Sequence, residues 1–120
     1  MNSTEKNIER VAKMSFASIY PLYISKIQKK NRTSEELNQV ITWLTGYSVK
    51  ELQKHLDNKT TFQEFFQQAK INPNASKITG TICGYKIEEI ENPFMKKVRY
   101  LDKLVDELAK GHPLTKILRS

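Results

Sequence analysis

A chain of 120 residues, 38% of them hydrophobic and 28% charged, fits one globular domain large enough to bury a core without disulfides or metals. Four Gly and four Pro argue against a long disordered linker, and no apolar run approaches the roughly 18 residues of a membrane span. A net charge of +7 leaves a polyanionic partner open, but the excess is spread, with 10 basic against 6 acidic residues in 1–60 and 10 against 7 in 61–120.

The opening stretch, MNSTEKNIERVAK, carries charges where a signal peptide needs an apolar core, so a cytoplasmic protein is expected. Residues 3–13 read as a frayed amphipathic helix using Ile8, Val11 and Met14. The segment 1–13 is expected to be a variable extension ahead of a single helical domain over 14–120. Next, MSFASIYPLYISKIQKKN sets Tyr20, Tyr23, Ile24 and Ile27 in helical register, with Pro21 among them. Proline has no amide donor, so the predicted helix covers roughly 20–30, with 15–19 as an apolar lead-in or turn.

Three capping boxes follow: Thr33 with Glu36, Ser48 with Glu51, and Thr61 with Glu64. Behind the first, Leu37, Val40, Ile41 and Leu44 mark one buried face of a helix ending near Gly46. Val49, Leu52 and Leu56 form such a face behind the second, and Phe62, Phe65, Phe66 and Ala69 behind the third. The best-marked helix comes last, with Asn92 as cap, Pro93 at its first position and Gly111 just past its end. Its seam of Phe94, Val98, Leu101, Val105 and Leu108 predicts a central core helix, and Pro113 can start one further short helix.

Two stretches echo each other at an offset of 38 residues, WLTGYSVKEL and TICGYKIEEI, matching Gly46 with Gly84, Tyr47 with Tyr85 and Glu51 with Glu89. The aliphatic phase agrees as well, which suggests an internal helix-turn-helix pseudo-repeat. The expected fold is therefore all-α, a compact bundle of six to eight short helices. The rival reading adds a short strand pair near 78–87, where β-branched residues gather; the helical reading of 78–83 is preferred on phase. Tyr47 and Tyr85 become candidate partner contacts, if the two turns lie on related surfaces.

Catalytic signatures are missing from the sequence. His55 and His112 have no second ligand at metal-site spacing, so no metal and no cofactor are expected. Cys83, beside Ile82 and Gly84, reads as a buried core thiol, and Glu88, Glu89 and Glu91 as acids that complement a helix start. No phosphate-cradling loop and no G-x-S-x-G is present. The preferred function is a non-enzymatic protein-interaction or regulatory domain. The alternative is a nucleic-acid binder using one basic cluster of Lys26, Lys29, Lys30 and Arg32 and a second of Lys96, Lys97 and Arg99. A third reading, a small-molecule site, requires a pocket lined by residues such as Trp43, Tyr47 and Cys83.

MSFASIYPLY, ITWLTGYS and above all ICGYKIEEIENPFMKKVRYLDKLVDELAKG resemble the bacterial domain of unknown function 2200 family. The resemblance runs from about Met14 to Arg119. It implies a small, single-domain bacterial cytosolic protein and transfers no activity, cofactor or catalytic residue.

Overall fold

The computed structural model describes residues 5–120. In chain order the helices are α1 (Glu5–Lys13), α2 (Phe16–Gln28), α3 (Ser34–Thr45), α4 (Val49–Asp57), α5 (Phe62–Gln67), α6 (Pro93–Ala109) and α7 (Leu114–Ile117). Between α5 and α6 lie 3₁₀ turns over Pro73–Lys77 and Ile87–Glu89, and an antiparallel hairpin of β1 (Thr81–Ile82) and β2 (Tyr85–Lys86). The fold is thus the expected helical bundle, in the variant that carries a short strand pair. Residues 1–4 of the predicted extension lie outside the described residues.

The seam of α6 forms the centre, with Leu101, Leu104 and Leu108 fully buried and α2, α3, α5, α7 and β1 packed around it. A second focus is aromatic. Phe16 from α2 stacks on Phe65 from α5 with ring centroids 4.0 Å apart, and Phe62 meets Phe94 of α6 edge-on at 5.8 Å. Tyr23 and Lys26 of α2 reach Asp102 and Asp106 of α6 respectively, so the two helices run parallel.

Local capping signals hold where they were strongest. Thr33 and Ser48 each accept from the amide three residues on while Glu36 and Glu51 reach back, and Thr61 accepts from the Glu64 amide. Gly46 ends α3 at φ 76°. The carbonyls left over at that end are taken by the returning chain, Lys70 N–H donating to Thr45 and Asn72 N–H to Leu44.

Four expectations change. Helix α2 starts at Phe16 rather than near residue 20, capped by Ser15, and carries Pro21 inside. Proline there removes only the bond to the Ala17 carbonyl, while Phe16, Ile19, Tyr23 and Ile27 are buried, and this burial outweighs the loss. The start is fixed further by a clasp to α5: Phe16 N–H donates to the Thr60 carbonyl and Phe62 N–H to the Met14 carbonyl. On α4 only Leu52 is fully buried, and Val49 is 60% exposed. The stretch 78–86 contains a hairpin, so the second Gly-Tyr copy is no helix junction and the pseudo-repeat fails in structure. Cys83 sits exposed in the hairpin turn instead of in the core.

Candidate functional site

The two Gly-Tyr elements do different things. Tyr47 is only 9% exposed, packed against Phe65 and His55, and its hydroxyl donates to the Phe65 carbonyl at 2.5 Å. Burial pushes its pKa up to about 12, so that proton stays on. This tyrosine therefore buries most of its surface in the core. In the second element Cys83 and Gly84 both take positive φ, 52° and 82°, which lets two residues close the hairpin. Tyr85 follows half-buried on β2, and the guanidinium of Arg99 lies over its ring, 4.7 Å from the centroid.

Tyr85 and Arg99 line a cleft of about 520 Å³. Its remaining wall comes from the hairpin (Gly84, Lys86), the approach to α6 (Glu89, Ile90, Glu91, Asn92), α6 itself (Met95) and Ile8 of α1. Asn92 accepts from the Met95 amide and so fixes where α6 begins, while Glu88 accepts from the Gly80 amide and ties the approach to the base of the hairpin. That bond holds the Glu88 carboxyl below its usual range.

Arg99 is held from behind. Its Nη1 donates to Asp102 Oδ2 at 2.8 Å, and the other carboxylate oxygen of Asp102 accepts from the Tyr23 hydroxyl at 2.7 Å. Burial, followed by the neighbouring Asp102 charge, raises the Tyr23 pKa well above its ordinary value, so Tyr23 is a permanent donor. Four groups from α2, β2 and α6 are thereby linked in one chain: Tyr23, Asp102, Arg99, Tyr85. Among the described residues only one guanidinium nitrogen of Arg99 has a hydrogen-bond partner, leaving donors for a ligand.

The basic residues named from sequence are dispersed. Lys26 pairs with Asp106 at 3.4 Å, and Arg32 is bound to Glu36 while its Nη1 donates to the His112 carbonyl. Lys29 and Lys30 are exposed, and Lys96 and Lys97 half-buried on α6. Since Lys26 is level with Asp106, seven residues beyond Arg99, the nearest members of the two clusters are separated by about 10 Å along the helix axis. Trp43, Tyr47 and Cys83 do not line the cleft.

Residues 10–119 match the family described as uncharacterized protein conserved in bacteria, DUF2200. The chain belongs to that family. It is also similar to a solved crystal structure, that of the uncharacterized protein SP1917, with 42% identity and a TM-score of 0.88, covering 98% of this chain and 94% of the other. No curated protein matches the chain. Among the described residues no helix of this DUF2200 chain is long and apolar enough to cross a membrane.

Sequence reasoning named Tyr85 and Arg99 but assigned them to different hypotheses. It missed Tyr23 and Asp102, which carry no local signal beyond helical register, and Ile8, which enters the cleft from a segment expected to be an extension.

Proposed function

We propose that this DUF2200 chain is a non-enzymatic interaction or regulatory domain whose partner occupies the cleft between the hairpin and α6. The observation that carries this reading is Arg99, stacked on Tyr85 and braced by Asp102, facing a cleft whose size falls within the roughly 300–1,000 Å³ of ligand sites. Surface arginines spend conformational entropy when they bind; this one is already ordered. Capture from bacterial cytosol with the wild-type chain and with Tyr85→Ala tests the reading. The captured species should survive nuclease treatment and disappear with Tyr85→Ala, and equal capture by both chains would end the proposal.

A nucleic-acid function has less support, because Lys26 and Arg32 are engaged within the protein and the two clusters do not merge. Retention on DNA or RNA at low salt, collapsing as salt rises, would reinstate it.

A further inference from the structure

The cleft wall carries two cations, Lys86 and Arg99, and two carboxylates, Glu89 and Glu91, with Asp102 paired to Arg99 from behind. A polyanion such as a nucleotide or polyphosphate would meet the two carboxylates as well as the cations. A single carboxylate on an otherwise neutral or zwitterionic body suits this wall better, with Arg99 as the planar, multi-donor group that carboxylates prefer. Apolar surface is at hand for the rest of such a body, from the half-buried Ile8 and Ile90.

The backbone of the hairpin narrows the class further. Thr81 stands opposite Lys86, Ile82 opposite Tyr85, and the Ile87 amide donates to the Gly80 carbonyl at 2.9 Å. Successive residues of a strand direct their N–H and C=O groups to opposite sides. With Ile87 bonded towards β1, the N–H of Lys86 points to the open edge of β2, its C=O starts the 3₁₀ turn over Ile87–Glu89, and Lys86 lines the cleft. An extended peptide can use such an edge, whereas a free amino acid gains little from it.

Resting on the reading of this cleft as the partner site, the geometry points to the free C-terminus of an extended, apolar-ended peptide as its occupant: the carboxylate binds Arg99, the last side chain packs against Ile8 and Ile90, and a backbone carbonyl accepts from the Lys86 N–H. Asp102 and Tyr23 are positioning residues that hold the guanidinium in place.

The test is a titration of the isotope-labelled full chain, followed by amide NMR, with the peptide Ala-Ala-Leu as free acid, with its C-terminal amide, and with leucine alone. The free acid should shift the amides of Gly84, Lys86 and Arg99. Amidation of the peptide, or Arg99→Gln in the protein, should weaken binding by about tenfold or more, as expected for loss of a charge-assisted pair. Arg99→Lys, which keeps the charge but not the planar fork, should fall between. Thermal unfolding of each variant confirms that it is folded, and if Arg99→Gln is not, the acid-against-amide comparison on the wild-type chain decides alone. Equal binding of acid and amide, absence of shifts at the cleft, or leucine binding as tightly as the tripeptide would each overturn the inference. If the peptide fails while Tyr85→Ala still abolishes partner capture, the cleft stands as the site and only its ligand class is wrong.

Discussion

Gly46-Tyr47 and Gly84-Tyr85 share their two residues and the aliphatic phase around them, yet one is buried architecture and the other a surface feature. In the first, the glycine ends α3, and a β-carbon there would stand 2.9 Å from the Lys70 carbonyl; the tyrosine then turns inward onto the carbonyl of Phe65. In the second, the glycine closes a hairpin with open space around it, and the tyrosine remains half-buried beneath Arg99. The difference shows that a shared dipeptide fixes local backbone freedom but not its use. What differs is the next layer, where α5 and residues 70–72 cover Tyr47 and Gly46, while a cleft opens beside Tyr85.

Truncating the two side chains should separate them most sharply. Tyr47→Ala removes a buried ring and is expected to cost about 3–5 kcal/mol in denaturant unfolding. Tyr85→Ala, at a half-exposed position, should cost less than half as much; similar losses would erase the contrast. Next come the glycines. Gly84→Ala should cost about 1–2 kcal/mol for its left-handed backbone, and Gly46→Ala should exceed it because the Lys70 carbonyl must move as well. Equal midpoints for these two variants would show that residues 70–72 yield freely.

Removing only the hydroxyls gives a smaller effect. Tyr47→Phe leaves the Phe65 carbonyl without that donor and should cost about 1–3 kcal/mol, whereas Tyr85→Phe should stay within about 0.5 kcal/mol. The smallest effect is in pH. Burial between Tyr47 and Phe65 lowers the pKa of His55 below its ordinary value, against an opposing influence of Glu51. Below the unfolded value of about 6.5 the unfolded chain therefore takes up the proton first. Stability is fully present above that pH and declines as pH falls through the folded pKa of His55. His55→Phe should flatten the decline between pH 7 and the range where carboxylates titrate; an unchanged slope would place its origin elsewhere.

Much of the helical layout was legible because its signals are short-range. Thr33 with Glu36, Ser48 with Glu51, and Asn92 with Pro93 mark helix starts within one turn, and those starts are where the structure has them. The start of α2 was not legible, since Pro21 is a genuine local penalty that only burial against α6 and the clasp to residues 60–62 override. The hairpin was half legible. Its β-branched residues argued for strands, but each strand is two residues long, and Cys83-Gly84 is a weaker turn signal than Asn-Gly or Asp-Gly.

By itself the sequence determined where α3, α4 and α6 begin, which faces of α3, α5 and α6 are apolar, and that Tyr85 and Arg99 are worth naming, because caps and periodicity act over four or fewer residues. Only the tertiary structure decided that these two residues meet, that Asp102 and Tyr23 brace them, and that Ile8 completes the cleft. The reason is physical: the site joins α1, α2, the hairpin and α6 across contacts as far apart in sequence as Tyr23 and Asp102, and contacts at that distance arise from how the elements pack.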